Sequence, residues 1–248
     1  MIISRRGHSQ LQVLITSSKV TSSFVTVTSN AYRAKFVDSH PPPGALVVAI
    51  ECQVDGIAAD VVVDHHRPGD PGFAKPAAEF WLGSSVGQLF ELLRAKGLIQ
   101  RQPSITEVLA AAGDHCPGGA YRGECPGVDP EALMQWRVAT QATFRKSAVE
   151  EVMAEVEAGR KLIQTRLKAG EAIPHFAETV PSLPEASLRE CVAVSYEMDD
   201  KQSGRRKVGL LNASKEVCEQ WMREAPVRLG LVDVYGSPDR GYAGGYKA

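Results

Sequence analysis

A chain of 248 residues can form one large domain or two modest ones with buried cores, and 44% hydrophobic with 23% charged residues is the composition of a folded globular protein, not of a disordered or fibrous one. With 28 Lys and Arg against 29 Asp and Glu, the net charge is −1, so no overall positive field exists to hold duplex nucleic acid or an anionic membrane, and phosphate binding must be local. The longest apolar runs, such as 45–50, fall well short of the ~20 residues that span a bilayer and suit buried strands instead.

Ser4-Arg5-Arg6 precedes Leu11-Gln12-Val13-Leu14-Ile15, an apolar stretch too short for a working export signal. The cysteines, Cys52, Cys116, Cys125, Cys191 and Cys218, are odd in number, which points to reduced thiols and a cytoplasmic location.

The first forty residues are rich in Ser, Thr and Val and predict strands, notably over 20–28, before Pro41-Pro42-Pro43-Gly44 breaks the chain. Two short β-branched runs follow, 46–50 and 61–63, patterned as parallel strands covered on both faces and ending at Glu51-Cys52 and Asp64-His65-His66. A Pro- and Gly-rich loop leads to an acidic-aromatic strand ending at Phe80, and then to a helix over 84–96 with Gly97 as its C-cap. Ser104-Ile105-Thr106-Glu107 is a capping box opening an Ala-rich helix that runs into Asp114-His115-Cys116. Asp129-Pro130 starts another helix, and Ser147-Ala148-Val149-Glu150 starts a long charged one ending near Gly170.

Beyond Pro174, Pro181 and Pro184 the pattern predicts a strand over 188–198, a polar turn, a strand over 207–211, a helix capped by Ser214, a strand over 229–235 and a Gly-rich tail. The expected fold class is α/β: a parallel sheet flanked by helices over 1–140, a helical connector over 141–180, and a smaller α+β domain over 181–248.

Glu51, Asp64, His65, His66 and the Asp114-His115 pair bring hard and borderline metal ligands toward one edge of the predicted parallel sheet, where open α/β sheets bind ligands. Asp114, His115, Cys116 and Cys125 also offer zinc-type ligands, although no Cys-x-x-Cys pair is present. Cys52, Cys191 and Cys218 read as small buried thiols, and Trp81, Trp136 and Trp221 as core or interface residues. Near the C-terminus, Gly241 to Gly245 read either as backbone N–H groups that approach a phosphate, Arg240 adding charge, or as a flexible tail.

Val61-Val62-Val63-Asp64-His65-His66-Arg67, together with the helix Gly83-Ser84-Ser85-Val86-Gly87-Gln88-Leu89-Phe90-Glu91-Leu92-Leu93, resembles the DHH phosphoesterase superfamily over roughly residues 47–116, and more loosely to the C-terminus. The resemblance implies a metal-dependent phosphoesterase using Mn²⁺ or Mg²⁺, acting on a small phosphodiester, a nucleotide, a phosphoanhydride or a short oligonucleotide. It implies Asp64, His65, His66 and Asp114 as catalytic residues; His65, Asp114, Glu51 and His8 as metal ligands; and His66, Arg67, Arg240, Gly244 and Gly245 as substrate contacts. It further implies that Asp64 orients His65.

The family's first motif, a histidine and an Asp-x-Asp pair after the first strand, is represented here only by His8 within Ile2-Ile3-Ser4-Arg5-Arg6-Gly7-His8. Glu51 and Asp114 alone would face about four positive charges in a site holding two divalent ions. The alternative reading is therefore a degenerate relative that binds a nucleotide or a partner protein without hydrolysis, possible homo-oligomers being left open by the sequence.

Overall fold

The structure, a computed structural model, describes residues 2–5, 22–26, 36–37, 40–200 and 203–248, the first three segments through their backbone. It is mixed α/β, with a largely parallel five-stranded sheet and a separate mixed five-stranded sheet. The chain divides into two compact units, one made of Met1–Cys116 and Glu124–Val128 and the other of Pro117–Gly123 and Asp129–Ala248.

In the first unit, β1 (Ile2–Arg5), β2 (Ser22–Thr26), β3 (Phe36–Val37), β4 (Val48–Ile50) and β5 (Val61–Val63) form a sheet of order β3-β2-β1-β4-β5. All pairings are parallel except β2 with β3. Ile50 and Val63 are register partners, exposed by 0% and 2%, so β4 and β5 end side by side with Glu51 and Asp64 as their next residues.

Helices α1 (Phe80–Gly83), α2 (Ser85–Ala95) and α3 (Ile105–His115) pack on one another, and α2 lies against β5 through an apolar stripe containing Leu89, Phe90 and Leu93. Phe80 opens a helical turn in place of the expected strand end: Ala77–Glu79 is already a 3-10 turn and the ring of Phe80 is buried. Ser84 caps α2 by accepting from the Gly87 N–H, as expected.

The second unit begins with α4 (Pro117–Tyr121), α5 (Pro130–Arg145) and α6 (Val149–Lys168). Asp129 caps α5, but α6 starts at Ala148 with no side-chain cap, so Ser147 does not play the capping role its sequence suggested. The strand expected over 188–198 begins only at Val194, and the chain before it is α7 (Leu183–Glu190), because Pro184 sits in the first helical turn, where its missing N–H costs nothing, and Leu183, Ala186 and Ser187 are buried at helical spacing. α5 packs with α6 and α6 with α7.

The second sheet has order β6-β7-β8-β10-β9, from β6 (His175–Phe176), β7 (Val194–Asp199), β8 (Arg206–Leu211), β9 (Leu231–Ser237) and β10 (Tyr242–Lys247), with α8 (Lys215–Arg228) packed on β9 and β10. The Gly-rich tail is thus strand β10, flanked by partners on both sides, and not a flexible end.

The α3 N-terminus illustrates how the fold secures the residues that follow it. Ser104 and Glu107 form the expected reciprocal capping box, and Arg101 adds a bidentate ion pair to Glu107 at 2.7 and 2.8 Å. Burial alone would raise the Glu107 carboxyl, but Arg101 and the Ser104 N–H outweigh it and hold the group below its ordinary value. A lowered acid contributes stability above its unfolded pKa and loses it as pH falls. Glu107→Gln is expected to lose about 1–2 kcal/mol at pH 7, with the gap from wild type closing below about pH 4.5, as read by urea unfolding across pH.

Candidate metal centre

Glu51 follows β4 in a left-handed backbone conformation with φ of 47°, and its N–H is held by the Val63 carbonyl at 3.1 Å. A non-glycine residue in that region carries about 1–2 kcal/mol of strain, retained here where the carboxylate is turned into a buried space. The neighbouring Cys52 is a neutral thiol: burial, reinforced by Asp64 and Glu51, pushes it up to about 12.

Asp64 follows β5 and is fixed from both sides of its peptide. Its N–H donates to Gln88 Oε1 at 3.2 Å, and its carbonyl accepts from Gln88 Nε2 at 3.1 Å and from the Gly72 N–H at 3.0 Å. Asp64 Oδ1 accepts from the backbone N–H of His65 at 2.7 Å and of His66 at 3.2 Å, and meets the His66 ring Nδ1 at 2.7 Å. A carboxylate accepts, so His66 carries its hydrogen on Nδ1 and offers Nε2 as a ligand.

The ring of His65 is held differently, by His115 at the end of α3. His115 Nε2 lies 2.8 Å from the Lys75 carbonyl oxygen, which can only accept; that nitrogen therefore bears a hydrogen. In a neutral His115 the other nitrogen, Nδ1, is then an acceptor. It sits 3.1 Å from His65 Nδ1, which must supply the hydrogen between them. His65 is left with its lone pair on Nε2, 3.1 Å from Asp114 Oδ2 and 3.7 Å from Glu51 Oε1.

Those atoms converge in a nearly dry place. The His65 and Glu51 side chains are 1% and 7% exposed, and Asp114 stands at the rim at 37%. Imidazole nitrogen and carboxylate oxygen are both ligand types for a divalent ion, and here they converge away from bulk water. Among the described residues, Glu51, His65 and His66 present ligand atoms all within 4.8 Å of one another, and this imidazole and carboxylate set fits a metal ion.

Most of the expected residues therefore meet. Glu51, Asp64, His65, His66 and Asp114 form one cluster, while Arg67 is exposed beside it, its N–H donating to Asp70 at 2.7 Å. His8 lies outside the described residues. Arg240 ends an exposed 3-10 turn in the second unit, and Gly244 and Gly245 lie within β10.

The expected orientation of His65 by Asp64 acts through the backbone, and the ring partner that sequence reasoning missed is His115. The zinc arrangement suggested for Asp114, His115, Cys116 and Cys125 finds the His115 ring engaged elsewhere, while the two thiols face each other at 3.2 Å. A cavity of about 330 Å³ opens beside Asp64, with apolar walls including Val54 and Ile57 and with Arg67 and Asp70 at its edge.

Comparison with protein-family models, curated proteins and solved structures finds no match to this chain.

Two outcomes follow from the ring geometry. Long-range ¹⁵N NMR of the metal-free protein should show hydrogen on Nε2 of His115 and on Nδ1 of His65. A Cβ on Gly83 would stand 2.5 Å from His115 Nε2, so Gly83→Ala is expected to displace that ring, cost about 1–3 kcal/mol in thermal unfolding and blur the His65 pattern.

Proposed function

We propose that this protein is a metal-dependent phosphoesterase of DHH type, hydrolysing a small phosphodiester, nucleotide or phosphoanhydride. The observation that carries the reading is the convergence of Glu51, His65 and His66 ligand atoms within 4.8 Å of one another, with Asp114 Oδ2 3.1 Å from His65 Nε2, at the C-terminal edge of a parallel sheet.

Glu51, His65, His66 and Asp114 would hold the ion. Manganese is the preferred metal and magnesium the alternative, since mixed imidazole and carboxylate ligands suit the former better. When bound, the ion would supply a Lewis acid and lower the pKa of a water that attacks phosphorus.

The chain's own groups do the rest. Asp64 holds the His66 ring, His115 holds the His65 ring, and the dry surroundings of Glu51 and His65 strengthen every charge interaction there. Arg67, beside the cavity that Asp64 lines, would draw the substrate phosphate, and His66 would touch it. Gly244 and Gly245 are buried in β10 between two partner strands, Gly244 facing the Tyr235 ring and Gly245 facing Leu231 and Val234, so neither is open to a substrate, and the reduced thiols fit a cytoplasmic setting.

Purified protein should bind Mn²⁺ measurably by calorimetry and hydrolyse bis(p-nitrophenyl) phosphate faster with Mn²⁺ than with Mg²⁺ or Zn²⁺. His65→Ala is expected to lose at least tenfold in metal affinity and nearly all turnover, and His115→Ala about tenfold in affinity. Metal binding with no hydrolysis of any phosphodiester, nucleotide or pyrophosphate would favour the degenerate binding module, for which the missing Asp-x-Asp speaks. No metal response in either protein would sink the enzyme.

A further inference from the structure

The two thiols near the end of α3 lie outside the proposed ligand set, and their placement is specific. Cys116 Sγ and Cys125 Sγ are 3.2 Å apart, nine positions from one another in sequence. The chain between them forms the short helix α4, and Gly123, in a left-handed conformation with φ of 76°, then turns it so that Cys125 returns to the end of α3.

The pair is not part of a larger metal cluster. Among the described residues, the group of three metal-type side chains is Glu51, His65 and His66, and the His115 ring is engaged with Lys75 and His65. What two adjacent thiols can do without a metal is join. A disulfide bond sets its sulfurs about 2.05 Å apart, so a closing movement of about 1 Å suffices.

The two sulfurs differ in exposure. Cys125 is 2% exposed, whereas Cys116 is half-buried. An oxidant from solvent therefore meets Cys116 first, and Cys125 completes the bond. The same difference decides which end moves. Cys125 is enclosed, so the closing movement falls on Cys116, whose N–H is tied to the Ala112 carbonyl at 3.1 Å in the last turn of α3. That turn carries Asp114 and His115, and the His115 ring is held by contacts of 2.8 and 3.1 Å to Lys75 and His65. Part of a 1 Å pull at the next residue, about half, is enough to take such contacts out of hydrogen-bond range.

We propose that Cys116 and Cys125 form a reversible redox switch: a small-molecule disulfide of the glutathione type oxidises them to a disulfide, which displaces the His115 ring and weakens the metal centre. Cys116 Sγ gives its proton to water and attacks one sulfur of the small disulfide, breaking that S–S bond and releasing one small thiolate, which takes up a proton. Cys125 Sγ then loses its proton and attacks Cys116 Sγ, forming the protein disulfide and expelling the second small thiol. Two protein thiols are oxidised, one small disulfide is reduced to two thiols, and excess thiol runs both steps backward. Transient disulfides of this kind are the usual ones in reducing compartments. The weakened metal binding rests on the proposed metal centre; the bond and the ring displacement do not.

The test equilibrates the full-length, metal-free protein in glutathione buffers from fully reduced to mostly oxidised, quenches with acid, alkylates the remaining thiols and maps tryptic peptides. Arg122 lies between the two cysteines, so the disulfide joins peptides 102–122 and 123–137. The joined pair should accumulate in oxidised buffer and vanish when reduced glutathione is added. Cys125→Ser should stop with glutathione on Cys116, and Cys116→Ser should leave Cys125 unmodified, both variants being shown folded by thermal melts. In the joined protein, long-range ¹⁵N NMR should lose the hydrogen pattern of His65 and His115, and Mn²⁺ affinity by calorimetry should fall at least fivefold, both recovering with reductant.

The proposal falls if folded wild type gives no joined peptides, or gives them only in urea, or if the joined protein keeps the imidazole pattern of the reduced one. Mn²⁺ bound equally well by both forms overturns the switch too. Failure to bind Mn²⁺ in either form refutes the phosphoesterase alone, because the peptide map and the imidazole spectrum decide the switch without a metal.

Discussion

Two imidazoles 3.1 Å apart in a buried site can share only one hydrogen, and the Lys75 carbonyl decides which way it points. By taking the Nε2 hydrogen of His115, that carbonyl makes Nδ1 of His115 an acceptor, assigns the shared hydrogen to His65, and leaves the His65 lone pair directed at Glu51 and Asp114. Two carboxylate oxygens, of Glu51 and Asp114, lie 3.7 and 3.1 Å from that nitrogen, which gathers metal-ligand chemistry at one point. The chemistry proposed for the protein follows from this single chain of acceptor, donor and acceptor.

Several independent devices keep the chain in place. Gln88 clamps the Asp64 peptide from α2, the register of Ile50 with Val63 brings both strand ends to one level, and the capping box at Ser104 anchors the helix that ends in Asp114 and His115. Glu51 adds local strain, which the packed strand beside it must absorb. These are fold-level features with functional reach, since a displacement of under an ångström at either imidazole would break a 3 Å contact.

Much of this was legible in the sequence because it depends on local chemistry. The β-branched runs before Glu51 and Asp64, the helix caps at Ser84, Ser104 and Asp129, and the Asp64-His65-His66 triplet are each signals confined to a few residues, and each has its expected local structure. What escaped depends on long-range packing. His115 is fifty positions from the ring it orients, so no spacing rule connects them. The Gly-rich end became strand β10 against its own propensity, with Gly244 facing the Tyr235 ring and Gly245 facing Leu231 and Val234, all on β9, where a Cβ would be crowded. The prolines near 184 marked a boundary in composition but served as the opening of a helix.

The first unit thus concentrates carboxylates and imidazoles out of water. The most direct measurement is an anomalous difference map at the manganese edge from crystals grown with Mn²⁺. The account predicts a peak bounded by His65 Nε2, His66 Nε2, Glu51 and Asp114, with His115 still bonded to Lys75. A map with no peak there, and a hydrogen on His65 Nε2 donated to Asp114, would contradict it.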